Sequence, residues 1–382
     1  MLAADVKSAL EQAQALASKG EFDAARALCL RIFAHDPGVI GALQTYMSIT
    51  KVTPDDKVLA RLRAFARDTR LPPVLASQVQ FMLGKGLDDI GAHEAAFTAF
   101  LRANALKPVQ FNAATQEQLV AATLAAVANA PHLQLGPVAP RFVFIVGMPR
   151  SGSSVLAQVL GQHPEICSVG EMTALGRALQ AIEPNLPRFI QTLTHDRLLA
   201  LRAAYLAEVM PLAQGSAVVV DKMPENYWLG WLIPMIFPDA LVLETQRLPL
   251  AVCWSCFRND FGQGHAYSTD FPTLWAHYHR YSKLTDAWRQ RAGAQWRVIE
   301  LDQMAASPQA IVEPCLAQLG LSWADTMARP QEARSDLRTL SKWQARQSLS
   351  PKIASAWQHY QEMILDKWGR DLTPAPELAS NS

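Results

Sequence analysis

The sequence predicts an all-helical unit followed by an α/β unit with a central parallel sheet. Three observations predict it. Residues 1–128 place apolar side chains at spacings of three and four with no strand-like run among them. After residue 141, short β-branched runs alternate with helix-length stretches, the pattern of parallel strands buried on both faces. The chain, at 382 residues, also exceeds what one core ordinarily holds, about 250–300 residues. Half of the residues are hydrophobic and 18% are charged, enough apolar surface to offset chain entropy, so a folded chain is expected throughout both units.

In the helical unit Ala, Leu and Gln dominate, and the helices break at Gly20, Pro37, Pro54 and the pair Pro72 and Pro73. The segment KGEFDAARALCLRIFAHDP sets Gly20, Phe22, Ala25 and Pro37 where a turn glycine, an aromatic, a small crossing residue and a closing proline would serve a helix pair. A second segment, MLGKGLDDIGAHEAAFTAFLRANALKP, repeats the order with Leu83, Gly84, Gly91, Ala96, Phe100, Ala103 and Pro108. These residues resemble tetratricopeptide repeats. Pro37 and Pro108 are 71 positions apart, about twice a 34-residue period, which leaves room for one degenerate repeat between them. Ala25, Ala96 and Ala103 are expected where paired helices cross closely. An ordinary helical bundle is the alternative. Residues 1–128 show no clustered acid, base or anion loop, so this unit is expected to hold a protein or peptide partner, or a second copy of the chain, without doing chemistry. Residues 129–140 carry Pro131, Pro137 and Pro140 and read as a linker. The α/β domain is expected over 141–372, with 373–382 a disordered tail.

The α/β strands are expected at Phe142–Val146, Ala217–Val220, Leu241–Thr245 and Arg297–Leu301. In an open sheet of this kind ligands bind outside the carboxyl ends of the strands. The first strand runs into GMPRSGSSVLAQVLGQHP, a tight glycine-rich turn and then a helix. Gly147 and Gly152 permit turn dihedrals, and the N–H groups of Ser151 to Ser154 open the helix at its positive end, the layout of a phosphate cradle. Against the Walker pattern the loop matches at Gly147, Gly152 and Ser154 but has Ser153 where the lysine belongs. Arg150 supplies a cation within the loop instead, which suits a single 5'-phosphate group with a transferring cap rather than a triphosphate with Mg²⁺.

Pro149 to Ser154, followed by His163 and Pro164, resembles the 5'-phosphosulfate loop of sulfotransferases that use 3'-phosphoadenosine 5'-phosphosulfate (PAPS). The resemblance covers about residues 141–370 and implies a P-loop-type α/β domain with PAPS as co-substrate and no metal. It further implies that Arg247, at the end of the third strand, and Ser255, eight positions later, hold the 3'-phosphate. This chain reads R-L-P-L where the family commonly reads R-D-P-R. Arg258 either adds charge there or is a solvent-facing helix residue. Lys222, just beyond the second strand, takes the place of a lysine that neutralises charge on the sulfuryl group. The segment RTLSKWQARQSL resembles the loop closing over the nucleotide, with Ser341 and Gln344 in register and Arg346 beside them. Leu301 stands where the family has a tyrosine. Helical repeats ahead of such a domain resemble those of bacterial two-part sulfotransferases related to tyrosylprotein sulfotransferases.

Sulfuryl transfer needs an in-line acceptor hydroxyl, charge stabilisation and a base. Glu171, 21 residues beyond Arg150, stands at the position of the base in tyrosylprotein sulfotransferases; His265 in GQGHAYS is the other candidate, echoing the histidine of cytosolic small-molecule sulfotransferases. The acceptor is a hydroxyl on protein tyrosine, a sugar, a lipid or a small molecule. A small-molecule kinase is the competing enzyme reading, opposed by the missing lysine, and a catalytically inactive repeat scaffold is kept open by Leu248 and Leu301.

A formal net charge of +1 gives no global attraction to nucleic acid or to an anionic membrane. The sequence contains no run of about 18 uncharged apolar residues and no secretory leader pattern, so a cytoplasmic protein is expected. Cys253 and Cys256 form a C-x-x-C in a helix-like segment. No second Cys/His pair completes a zinc site, and the pair reads as packing.

Overall fold

The computed structural model describes residues 3–262, 264–329 and 356–372. Seven helices come first: α1 (Ala3–Lys19), α2 (Phe22–His35), α3 (Ile40–Ile49), α4 (Lys57–Phe65), α5 (Pro73–Asp89), α6 (His93–Ala105) and α7 (Ala113–Ala128). Their boundaries follow the predicted breakers. Gly20 and Gly91 adopt φ values of +87° and +77° between paired helices, which glycine does without steric cost. Asp56 caps α4 by accepting the Val58 N–H at 2.8 Å, and Asn112 caps α7 through the Thr115 N–H at 2.9 Å. α1 packs on α2 and α5 on α6. The crossing of α5 and α6 is close: a Cβ on Gly84 would stand 2.5 Å from the Phe100 ring, and Ala96 and Ala103 are fully buried beside it. Helix pairing of this kind is compatible with repeats and with a bundle alike.

The α/β unit contains a five-stranded, wholly parallel sheet in the order β2-β3-β1-β4-β5. Its strands are β1 (Arg141–Gly147), β2 (Ile166–Gly170), β3 (Val218–Lys222), β4 (Leu241–Gln246) and β5 (Trp296–Glu300). Four of these lie within a residue or two of the expected runs. β2 was not expected. It is an edge strand of five residues, only Ile166 of which is buried, so it lacks the continuous apolar run that marks the interior strands. Lys222 is the last residue of β3 rather than the first beyond it.

The intervening helices are α8 (Ser153–Leu160), α9 (Ala174–Ile182), α10 (Leu186–Gln191), α11 (His195–Val209), α12 (Ile233–Ile236), α13 (Pro249–Phe257), α14 (Phe271–Ala292), α15 (Leu301–Ala306) and α16 (Pro308–Gln318); Gln361–Trp368 forms a last described helix. Two apolar clusters cover the two faces of the sheet. One joins Val143, Ile145, Val220 and Leu243 to α8 and α16. The other, on the opposite face, begins at Phe142 and Phe144 and continues without interruption through Trp254 and Phe257 to Phe97, Phe100 and Val120 of α6 and α7. The helical unit therefore shares its core with the face of the sheet that carries α13. No helix among the described residues is long and apolar enough to cross a membrane.

Candidate functional site

β1 ends at Gly147, whose φ is +146°. A Cβ there would meet Thr245 O at 2.7 Å and Thr245 Oγ1 at 2.9 Å, so only glycine lets the chain leave the strand this close to β4. Ser151 closes the turn that follows: its N–H donates to Met148 O at 3.2 Å and its Oγ to the same oxygen at 2.7 Å. The hydroxyl also lies 2.7 Å from Thr245 Oγ1, which fastens the loop to β4. Gly152 is the N-cap of α8 at φ +112°, and a Cβ on it would meet Leu301 at 2.7 Å. Leu301 thus packs directly beneath the loop. Ser153 and Ser154 are the first two residues of α8. His163 serves the fold, since its Nδ1 accepts the Glu165 N–H at 3.1 Å and its Nε2 donates to Ser322 O at 3.0 Å.

Arg150 is the loop residue that reaches outward to the next element. Its φ of +71° lies in the left-handed region, where a non-glycine residue costs on the order of 1 kcal/mol. That conformation carries the side chain to α13, where Nε donates to Ser255 Oγ at 3.0 Å. Arg247 follows β4 directly, Pro249 occupies the first turn of α13, and Ser255 lies in its last. Cys256 donates its thiol to Pro149 O at 3.2 Å, tying the same helix to the loop from its other side.

Three guanidinium groups share this corner. Burial, then the like charges of Arg258 and Arg247, hold the Arg150 guanidinium down to about 10. Burial also depresses Arg247, with Asp302 opposing the shift and Arg258 adding to it. Arg258 is not the solvent-facing helix residue considered above: its side chain is 18% exposed and Nη1 donates to Asp88 Oδ2 at 2.8 Å. Clustered cations that weaken one another, together with a hydroxyl donor, suit a polyanion.

Glu171 and Lys222 meet at the carboxyl edge on the other side of β1. Glu171 follows β2 directly, and its Oε1 accepts a hydrogen bond from Lys222 Nζ. The lysine side chain is 5% exposed and the glutamate 41%, so the carboxylate stands at the rim and the ammonium beneath it. Burial lowers the Lys222 pKa, with the charge and hydrogen bond of Glu171 and then the charge of Asp221 opposing it. His265 belongs to a separate group. Its Nε2 lies 3.6 Å from Glu225 Oε1 and its ring stacks between Phe261 and Tyr267, at 4.7 and 5.4 Å.

Ser341, Gln344 and Arg346, and the tail 373–382, lie outside the described residues. The C-x-x-C cysteines are both buried in α13; burial pushes the Cys256 thiol up to about 12 and that of Cys253 well above its ordinary value. Three residues at the site escaped sequence reasoning. Thr245 and Asp88 act through partners remote in sequence and carry no local signal. Asp221 did carry one, a charged residue closing the apolar run of β3, where a strand buried on both faces has no solvent to receive it.

Residues 140–325 match the family model described as Sulfotransferase family. A curated relative, an uncharacterized protein of Aquifex aeolicus, is 23% identical over 372 residues, covering 93% of this chain. The chain spans about half the length of that relative, 48%. Among solved structures, the chain is similar to the sulfotransferase domain of the olefin synthase of Synechococcus PCC 7002, with 19% identity, 60% of this chain and 90% of that one covered, and a TM-score of 0.43. It is also similar to the sulfotransferase domain of the curacin biosynthetic pathway, with 14% identity, 64% and 95% covered, and a TM-score of 0.41.

Proposed function

Proceeding from a sulfotransferase-family domain over residues 140–325, we propose that the protein transfers the sulfuryl group of PAPS to an acceptor hydroxyl. The observation that carries this reading is the Arg150 to Ser255 hydrogen bond of 3.0 Å, which joins the glycine-rich loop to the α13 corner 105 residues away. A nucleotide with phosphate groups at both its 5' and 3' positions needs two anion sites linked in this way. The residues present fit such a group: Arg150, Arg247 and Arg258 supply three mutually repelling cations, and an anion among them relieves that repulsion. A kinase reading lacks the loop lysine, because Ser153 stands in its place.

PAPS supplies the activated sulfuryl group; this chain's residues bind, orient and move a proton. The loop residues Arg150 to Ser154 hold the 5' end, while Arg247 and Ser255 hold the 3'-phosphate. Lys222 gives its charge to the sulfuryl oxygens, and in doing so loosens its hold on Glu171. Glu171, at the rim, then takes the proton from the acceptor hydroxyl, a step worth typically about 10² to 10⁴ in rate. His265 is the alternative base. No metal has a role in this sequence of events. The acceptor carries its hydroxyl on a protein tyrosine, a sugar, a lipid or a small molecule, and the helical unit presents it or a partner protein.

Thermal unfolding in a titration with 3',5'-adenosine bisphosphate tests the reading. The midpoint should rise with ligand as RT ln(1 + [L]/Kd) predicts. Equal or larger stabilisation by Mg-ATP would refute the assignment and favour the kinase.

A further inference from the structure

Asp221 is fully buried at the second-last position of β3. A strand enclosed on both faces ordinarily has an apolar side chain there, and a buried carboxylate must find compensating partners. Its Oδ2 accepts the Tyr205 hydroxyl of α11 at 3.0 Å, its Oδ1 is buried without a hydrogen-bond partner among the described residues, and the nearby backbone N–H of Met172 favours the charged carboxylate. Met172 follows Glu171, and Lys222 follows Asp221. One carboxylate therefore lies beside the chain that carries each member of the Glu171 and Lys222 pair.

Strand register gives a second, independent link. Asp221 pairs with Gly170, the residue before Glu171, across a register shift between Ser168 and Gly170. A bulge of this kind bends the strand that bears it, and Gly170, at φ +81°, completes the departure that brings Glu171 over the end of β3. The Tyr205 hydroxyl is itself held in place, because its ring packs against Phe142, Phe144 and Phe237 at 5.8, 5.7 and 5.4 Å.

We infer that Asp221 is a positioning residue for the proposed transfer: it fixes the peptide carrying Glu171 against the strand carrying Lys222 and places a negative charge beside the Lys222 ammonium. The inference rests on the reading of Glu171 and Lys222 given above. The titratable groups facing Asp221 are Tyr205 and Lys222, and those facing Lys222 are Glu171 and Asp221. Burial pushes the Asp221 carboxyl up to about 7, against the hydrogen bond of Tyr205, the nearby Met172 N–H and the charge of Lys222. Its charge is therefore present above that pH and lost below it.

Trace labelling of the full-length protein with acetic anhydride, read at Lys222 by peptide mass spectrometry between about pH 5.5 and 9.5, tests the inference without any nucleotide. Asp221→Asn keeps the side-chain size but removes the charge. Lys222 should then label about 3- to 10-fold faster above pH 7, as an ammonium does on losing a nearby anion. The difference should close below about pH 6, where the parental carboxyl is itself protonated. Tyr205→Phe leaves the carboxylate but removes the hydrogen bond that favours its charged form; it should give a smaller effect of the same sign, and it serves if Asp221→Asn does not fold. A Lys222 profile identical to the parent's in the folded variants overturns the inference. So does acceleration of equal size at every pH, the mark of loosened packing. Calorimetry with 3',5'-adenosine bisphosphate on the same preparations keeps the two claims apart. Labelling that follows pH without bisphosphate binding sinks the functional reading alone, whereas binding with unchanged labelling sinks the positioning role alone.

Discussion

At the scale of single residues, the site depends on backbone conformations that few side chains tolerate and on charges set close to one another. Gly147 and Gly152 stand where a Cβ would collide with Thr245 and Leu301, and Arg150 accepts a left-handed φ of +71° to reach Ser255. Such strain persists only where surrounding structure enforces it, here through Ser151 and its hold on Thr245. Glu171 and Lys222 differ in exposure, a rim carboxylate over an enclosed ammonium, and the proposed function gives the first the acceptor proton and the second the sulfuryl charge. Glu171→Gln keeps size and hydrogen bonding but cannot take a proton at neutral pH. Its affinity for 3',5'-adenosine bisphosphate should equal the parent's, while turnover on an identified acceptor falls by about 10² to 10⁴. His265→Ala is the matched variant. If it abolishes turnover while Glu171→Gln retains it, the base is the histidine in the Phe261 and Tyr267 stack.

At the scale of elements, α5 and α13 are joined through one carboxylate. Asp88, on the last turn of α5, accepts from Arg258 at 2.8 Å and from the Tyr360 hydroxyl, and lies 3.4 Å from His93 Nδ1 of α6. The hub thus fixes Arg258, whose charge lies near those of Arg150 and Arg247, and ties the described segment beginning at Ala356 to α5 through Tyr360. Asn104 of α6 adds a bond from Nδ2 to Phe257 O at 2.8 Å. Asp88→Asn leaves the shape but removes the charge opposite a mostly enclosed guanidinium. We expect a loss of about 1–2 kcal/mol in urea unfolding, the lower range for a pair that is not fully buried. Affinity for the bisphosphate should fall several-fold as Arg258 loses its fixed geometry; unchanged stability and affinity together would show that the hub contributes to neither.

At the scale of the whole molecule, the continuous core decides which parts of the helical unit the α/β unit needs. Trp254 of α13 stacks at 5.4 Å on Phe97 and meets Phe100 at 5.8 Å, both from α6, whereas α1 to α4 pack on α5 through a separate cluster around Leu43, Leu59 and Val79. A chain beginning near Pro137 would expose Trp254 and Phe257 and should fail to unfold cooperatively. One beginning near Pro72 keeps α5 to α7 and should bind the bisphosphate with parental affinity. Cooperative unfolding and full binding by the shorter chain would show that the helices are dispensable for the site. The sequence by itself determined the succession of helices and then alternating strands, the glycine-rich loop, and the placement of Lys222 and Arg247 near strand ends, because periodicity, breakers and turn dihedrals act over a few neighbouring residues. Only the tertiary structure decided that β2 completes the sheet edge, that Arg258 turns inward to Asp88, that Leu301 underlies the loop, and that Asp221 stands between Tyr205 and the Glu171 and Lys222 pair. Each of these contacts joins residues far apart in the chain, and a buried charge takes its partner from whatever the packed core brings beside it, a pairing that no local pattern encodes.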